Sequence, residues 1–295
     1  MHKPLITIGI PFFNCEKSLL DTIRSIFAQT YSNWELVLVD DGSTDRSIDI
    51  VRSIDDPRIR LLPPDGKNLK LAARLNQITQ ESRGDYIARM DADDLSHPER
   101  IEKQLSFLQT HKEVDVVGTN MYILNEQTWP VKKLVVPQDH DSIIKNKFRG
   151  IKLIHASVMA RIEWFRQFRY DEKTIRCEDF ELWIRSAPRS VFANIPEYLY
   201  LCNEFQVFTL SKIAKSKQSA IKVVMKYGPE EIGILRSVCW AVIRYLQIAA
   251  YAVLTMLGLP SLLVRNRYQA LTQQESAQAK QALEIIKKTQ VPLKI

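Results

Sequence analysis

The sequence predicts an α/β fold: a doubly wound, mostly parallel sheet flanked by helices, followed by a C-terminal helical extension. Three observations lead there. Over the first 125 residues, short β-branched apolar runs alternate with segments of helical spacing, the pattern of strands joined by crossover helices. Three of those runs end in polar segments of unusual chemistry. After Phe205 the alternation stops, and the chain becomes basic and helical.

The elements follow in order. "LITIGIPFF" reads as a strand and "EKSLLDTIRSIFAQ" as a helix. "WELVLVD" is a strand, and "STDRSIDIVRSI" is a helix opened by Ser43 or Thr44 as its cap. "RIRLLP" is a short strand and "LKLAARLNQITQES" a helix. "DYIARMD" is a strand, "PERIEKQLSFLQTH" a helix and "VDVVGTNMYIL" a strand. Right-handed connections between parallel strands put helices on both faces of such a sheet. Beyond this the pattern weakens. "LIHASVMAR" and "VFANIPEYLYL" read as strands, and "IEWFRQF" and "EDFELWIRSA" as helices.

Composition bounds the reading. At 295 residues with 45% hydrophobic content, the chain builds a sizeable core and is not disordered. Its four cysteines, Cys15, Cys177, Cys202 and Cys239, are widely spaced, with no C-x-x-C pair and no zinc spacing. They read as small buried hydrophobes in a reducing setting. The N-terminus lacks the basic-then-apolar order of a signal peptide, so a cytoplasmic location is expected. The net charge of +7 is uneven. Residues 1–205 hold 28 Lys and Arg against 30 Asp and Glu, while residues 206–295 hold 13 against 4. The basic tail therefore suits an anionic partner, and the body does not.

In an open α/β sheet, ligands bind beyond the carboxyl ends of the strands. Three ends are marked: "PFFN" at Pro11 to Asn14, "DDGS" at Asp40 to Ser43, and "DADD" at Asp91 to Asp94. They are expected to meet in one crevice. The first loop holds no glycine, which argues against a dinucleotide-binding dehydrogenase and against a glycine-rich phosphate loop. Phe12 or Phe13 could instead lie against a base, and Asp41 could accept a base N–H. Taken singly, these residues read more simply as core and cap.

Part of "DADDLSHPER" is capping chemistry. Ser96 with Glu99 fits a capping box, and Pro98 suits a first turn. That leaves Asp91 and Asp93 unexplained. Two carboxylates at i and i+2 beyond a strand can share a hard divalent cation, Mg²⁺ or Mn²⁺, whose remaining ligands come from a substrate diphosphate. Further on, "RCEDFELWIR" opens a helix with an acidic pair. Packing by Phe180, Trp183 and Ile184 would fix its first turn and aim Asp179 into the crevice as a general base.

Taken together, "ITIGIPFFN", "LVLVDDGSTD", "GDYIARMDADD", "HASVMAR" and "YDEKTIRCEDFELWIR" resemble glycosyltransferase family 2 in order and spacing, over about residues 4 to 200. The resemblance implies a GT-A fold and inverting transfer from a nucleotide-diphosphate sugar. Pro11, Phe13 and Asp41 match positions that line the nucleotide base. Asp91 and Asp93 match the Asp-x-Asp motif, with Asp93 the more direct metal ligand. Asp179 matches the catalytic base, and Glu178 is the reserve candidate. His155 matches a frequent feature near the site, and reads as a neutral structural histidine. Two departures stand out. The loop "DGKNLKLAARLN" lacks the usual Asn-x-Gly, which leaves Lys67, Lys70 and Arg74 unassigned at the diphosphate. "YLYLCNEFQ" lacks the Tyr-Arg pair expected after the last strand.

The expected organisation is a catalytic domain over residues 1–205 and a basic, helical, membrane-associated region over 206–295. The family suggests a glycan or lipid-linked acceptor and a role in cell-surface polysaccharide synthesis. The rival is a non-catalytic nucleotide-sugar-binding or scaffold protein at the membrane. A nucleic-acid partner is not expected, because no recognisable module accompanies the basic tail. Within that tail, Tyr245 to Val264 contains twenty residues without a charge. The length could span a bilayer. Its polar interruptions, flanking arginines and preceding "KIAKSKQSAIKVVMK" favour contact with the inner face of the plasma membrane. A core helix packed on the catalytic domain is the plainer alternative.

Overall fold

In the computed structural model, residues 3–203, 210–257 and 268–294 are described. The first half follows the expected alternation: β1 (Ile6–Phe12), α1 (Leu19–Phe27), β2 (Trp34–Asp40), α2 (Ser47–Arg52), β3 (Ile59–Leu61), α3 (Leu71–Glu81) and β4 (Tyr86–Arg89). These four strands pair in parallel in the order β3-β2-β1-β4, with Ile6 opposite Trp34 and Tyr86. Alternate residues feed two cores. Ile8, Ile10, Leu36 and Leu38 pack on the α1 side. Val37 and Val39 pack on the opposite side with Leu75 and Ile78 of α3. Both faces are thus covered, which is why these strands read as unbroken apolar runs.

The other half of the sheet is mixed. After β5 (Leu95–Ser96) and α4 (Arg100–Thr110) come β6 (Val116–Leu124), β7 (Pro130–Leu134), α5 (His140–Ile144), β8 (Met159–Arg161), α6 (Ile162–Gln167), α7 (Glu178–Ser186) and β9 (Phe192–Asn203). β8 is antiparallel to both β4 and β6 and joins the two halves. β6 also holds β7 antiparallel and β9 parallel.

Two expected caps are not formed. Helix α4 starts after Glu99, and Ser96 is in β5, paired with Tyr200 of β9. Its buried hydroxyl accepts from Gln29 at 3.1 Å, while Glu99 pairs with Lys103. Helix α2 starts at Ser47, because the backbone of Ser43 and Thr44 is tied to Asp40 and Asn14 instead. In both places a long-range partner outcompetes the local cap.

The tail forms α8 (Leu210–Ile232), α9 (Ile234–Met256), β10 (Gln269–Ala270) and α10 (Gln273–Lys288). Val223 and Val224 of α8 pack against Phe148 and Ile184, and Tyr227 donates to Glu181 of α7 at 2.5 Å. The α8–α9 crossing is close: a Cβ at Gly228 would lie 2.6 Å from Ser237 Oγ. The chain then returns to the body. β10 pairs with β7, and Leu283 and Ile286 of α10 pack on Leu95, Leu124 and Leu201. The last segment is therefore built into the sheet and its core. The end of the uncharged Tyr245–Val264 stretch lies outside the described residues.

Candidate active site

The three marked strand ends converge as expected, and hydrogen bonds hold them together. The Asn14 N–H donates to Ser43 Oγ at 3.0 Å, and Asn14 Oδ1 accepts from the Thr44 N–H at 2.8 Å. Ser18 and Thr22 hydroxyls donate to the Ala92 carbonyl at 3.2 and 2.9 Å. The first and third of these ends frame a cavity of about 820 Å³, lined by Pro11, Phe13, Asp91 and Asp93 and, from α10, by Leu283 and Ile286, while the second stands behind it. Phe12 is buried in the core, and Phe13 is 49% exposed, so Phe13 is the ring available to a ligand.

Within "DDGS" the two aspartates divide the work. Asp40 accepts from the N–H groups of Gly42 and Ser43 and shapes the turn. Gly42 sits at φ +82°, and a Cβ there would come within 3.1 Å of the Lys67 backbone. Asp41 accepts from the N–H groups of Leu69 and Lys70 at 2.7 and 3.1 Å, and from buried Arg74 Nε at 3.0 Å. Arg74 also pairs with Asp65 at 2.7 Å. Two carboxylates thus already neutralise Arg74. Asp41 is not on the wall of the cavity shared by Pro11, Phe13, Asp91 and Asp93, among the described residues.

The aspartate cluster beyond β4 has a cation of its own. Arg89 is buried at 4% exposure, and its Nη1 donates to Asp91 Oδ2 at 3.0 Å. The expectation of a positive charge from outside the chain is thus incomplete, because Arg89 already supplies one to Asp91. Asp94 is buried and accepts from the Asn203 N–H at 2.8 Å. Burial, then the charges of Asp91 and Asp93, push its carboxyl well above the usual range. Asp93 opens to the cavity. Desolvation between the cavity walls and the charge of Asp91 raise its carboxyl to about 6. Its main-chain carbonyl accepts from Asn203 Nδ2 at 2.5 Å.

Asp179 lies in the first turn of α7, which Leu182, Trp183 and Ile184 bury. Burial raises its carboxyl, the nearby charge of Arg89 opposes that, and Asp91 adds to it. Asp179 and Asp91 therefore share the electrostatic neighbourhood of Arg89, although Asp179 is not on the cavity wall among the described residues. Glu178 beside it is also raised, mainly by burial. His155 Nε2 lies 2.8 Å from the Tyr170 hydroxyl, with its ring edge-on to Trp183. Burial and then Arg89 lower its pKa well below the ordinary value, so it is a neutral structural histidine.

Among the described residues, no group of three or more His, Cys, Asp and Glu is placed to hold a metal by itself. The donor set nevertheless fits a Mg²⁺ or Mn²⁺ ion completed by substrate phosphates, which needs only one or two protein carboxylates. Asp93 provides an open one that no ion pair engages among the described residues, and Asp91 an adjacent one.

Five participants escaped the sequence reading. Arg89 stands two residues before Asp91 in plain view. Asn203 and Tyr200, whose hydroxyl accepts from the Asp91 N–H at 3.2 Å, sit on β9 more than a hundred residues away. Leu283 and Ile286 lie on a helix whose amphipathic spacing does not say what it packs against.

Comparison with known proteins gives the family and the fold. The profile of glycosyl transferase family 2 matches residues 7–175. EpsE of Bacillus subtilis, assigned as a glycosyltransferase, is 36% identical over 208 residues, covering 68% of this chain and 73% of EpsE. TuaG of the same organism, assigned as a teichuronic acid biosynthesis glycosyltransferase, is 29% identical over 153 residues, covering 50% of this chain and 60% of TuaG. The crystal structure of S. aureus TarS 1-349 in complex with UDP-GlcNAc superposes with a TM-score of 0.61 at 15% identity, over 97% of this chain and 81% of that one. In a longer TarS chain the match spans 43% of its length. Mannosyltransferase PcManGT from Pyrobaculum calidifontis, in complex with GDP-Man and Mn²⁺, gives 0.60 at 15% identity, over 97% and 86%. These neighbours share the GT-A type fold. The chain belongs to glycosyl transferase family 2 and is a glycosyltransferase.

Proposed function

We propose that the protein is a metal-dependent, inverting glycosyltransferase. It moves a sugar from a nucleotide-diphosphate sugar to a hydroxyl of a glycan or lipid-linked acceptor in cell-surface polysaccharide synthesis. The observation that carries this reading is that Asp91 and Asp93 share one cavity wall with Pro11 and Phe13, while the buried Arg89 that pairs with Asp91 also acts electrostatically on Asp179. The complexes of neighbours with UDP-GlcNAc and GDP-Man, and the assignments of EpsE and TuaG, support the donor and the pathway class.

Pro11 and Phe13 flank the base. Asp41, held by Leu69, Lys70 and Arg74 off that wall, braces the loop beside the base. Asp93, and Asp91 behind it, would hold a divalent ion, which as a Lewis acid stabilises the departing diphosphate. Asp179 takes the proton from the acceptor hydroxyl. That oxygen bonds to the anomeric carbon as the bond to the diphosphate breaks on the opposite face, which inverts the configuration. Release of nucleoside diphosphate, followed across a panel of nucleotide sugars with Mn²⁺, with Mg²⁺ or with EDTA, tests the reading. Release that EDTA abolishes supports it, and equal release with chelator contradicts the metal.

The tail supports a location at the inner face of the plasma membrane. Helix α9 is long and apolar enough to cross a membrane, and 6% of its apolar window is buried. Leu235, Leu246 and Met256 are 78%, 64% and 84% exposed. The neighbouring α8 carries five lysines between Lys212 and Lys226. Apolar bulk beside cationic side chains suits an anionic headgroup layer.

A further inference from the structure

Six carboxylates line the cavity that holds Asp91 and Asp93, against three cations, Lys17, Arg24 and Lys287. A bound divalent ion has its charge matched by the diphosphate of a sugar nucleotide, and negative charge grows on that diphosphate as the sugar departs. An acidic wall therefore needs a cation of its own to face it. The cations expected at the diphosphate are committed elsewhere. Arg74 pairs with Asp41 and Asp65, and Arg89 with Asp91. Lys70 donates to Asn68, and neither Lys67 nor Lys70 is on the cavity wall. Of the three cations that are on it, Arg24 pairs with Asp21. Lys17 and Lys287 make no ion pair or side-chain hydrogen bond among the described residues. Lys17 stands between two carboxylates of the same wall, Glu16 beside it and Asp21 four residues on. Lys287 has no such neighbour, because Glu284, three residues before it, pairs with Lys288.

We infer that Lys287 is the phosphate-binding cation of the donor site, brought to it by the helix at the far end of the chain. The inference rests on the donor reading of Asp93. Helix α10 turns Leu283, Ile286 and Lys287 to the cavity, positions i, i+3 and i+4 of one helical face. Leu283 and Ile286 are only 4% and 2% exposed and pack with Leu95, two residues past Asp93. The helix is held at both ends. Thr272 and Glu275 form a capping box at its start, and Glu275 also pairs with Lys133 at 2.6 Å. Past its end, the Asp55 N–H donates to the Pro292 carbonyl at 2.9 Å, and the Lys294 N–H to the Ser53 carbonyl at 2.7 Å. Lys287 therefore extends from a fixed backbone. A lysine in a last helical turn ordinarily serves the helix dipole. Lys288 does so in the same turn and is not on the cavity wall, whereas Lys287 shares that wall with Asp91 and Asp93. An ammonium on the departing phosphate is worth more in the transition state than in the ground state, so it serves turnover as well as binding.

Calorimetry on the full chain in Mn²⁺, with UDP, GDP, uridine and guanosine as probes, tests the assignment. In Lys287→Met, affinity for the diphosphate that binds the wild type should fall about tenfold, the worth of one charge-assisted hydrogen bond. Affinity for the matching nucleoside should stay within about twofold, because the base and ribose do not meet the ammonium. Lys287→Arg keeps the charge and should recover most of the loss. Lys17→Met should stay within about twofold of the wild type. Lys287 is exposed, so its variants should unfold at the wild-type midpoint. An unchanged diphosphate affinity in Lys287→Met, an equal loss for the nucleoside, a loss as large in Lys287→Arg, or a larger loss in Lys17→Met would each overturn the assignment and leave the donor reading intact. Failure of the wild type to bind either diphosphate would overturn both.

Discussion

Arg89 reaches Asp91 from inside the protein: its Nη1 donates to Asp91 Oδ2 at 3.0 Å, and the arginine is only 4% exposed. The pair separates two aspartates that look equivalent in sequence. Asp91 is the counter-ion of a buried guanidinium, and Asp93 is the carboxylate left open to the cavity. Asp91→Asn should therefore destabilise the fold by ~3 kcal/mol, because it leaves a buried charge unpaired. Asp93→Asn should leave the unfolding midpoint unchanged or raise it, since it removes a like charge beside Asp91. Urea unfolding of both variants at neutral pH checks this. Equal losses would contradict the division of roles.

Acidity gives a second handle on Asp93. Its carboxyl stands at about 6 in the folded protein against an ordinary 3.8. A group that holds its proton more tightly when folded stabilises the fold fully below the unfolded value and loses that contribution as pH rises through the folded one. The metal-free protein should therefore lose stability through this group between about pH 4 and pH 6. Denaturation in chelator across that range, wild type against Asp93→Asn, isolates the contribution from that of Asp94. Parallel curves would contradict the raised carboxyl.

What was legible in the sequence follows from where burial leaves a local mark. β1 and β2 are covered on both faces, so their apolar runs are unbroken and their ends easy to place. β7 and β10 are short and end one side of the sheet, with lysines in β7, and neither shows in the pattern. The places of Asp91, Asp93 and Asp179, just beyond a strand end and in a first helical turn, were legible because those elements are marked locally. The capping box at Ser96 failed because β9, a hundred residues later, claims Leu95 and Ser96 as strand partners. Nothing local announces that choice, nor that α10 returns to wall the cavity.

Asn203 links the last strand to the aspartate loop. Its Nδ2 donates to the Asp93 carbonyl, and its N–H to Asp94 Oδ1 at 2.8 Å. Asn203→Ala keeps the second bond and loses the first. Affinity for nucleoside diphosphate in Mn²⁺ should fall about three- to tenfold, the worth of one hydrogen bond that positions a ligand. Calorimetry measures it, with circular dichroism as the control for folding. Unchanged affinity would show that the loop holds its shape without this contact.

Membrane contact is best tested without removing α10, whose Leu283 and Ile286 belong to the core. Leu235, Val242 and Leu246 are exposed on α9. Changing all three to Gln should shift the protein from floating with anionic liposomes to remaining in the soluble fraction at low salt. Flotation equal to wild type would place the contact elsewhere.

The central claim is that Asp179 removes the acceptor proton while Asp91 and Asp93 serve the donor. Turnover and donor affinity of Asp179→Asn, measured together, test it most directly. The amide keeps the shape of the carboxylate and cannot accept the proton. Turnover should fall by ~10²–10⁴-fold, the usual contribution of a general base, with donor affinity close to wild type. The residual rate should also lose that part of the wild type's decline toward acid pH that belongs to this carboxyl, raised above its ordinary value by burial. Wild-type turnover in Asp179→Asn would contradict the account and move the base to Glu178.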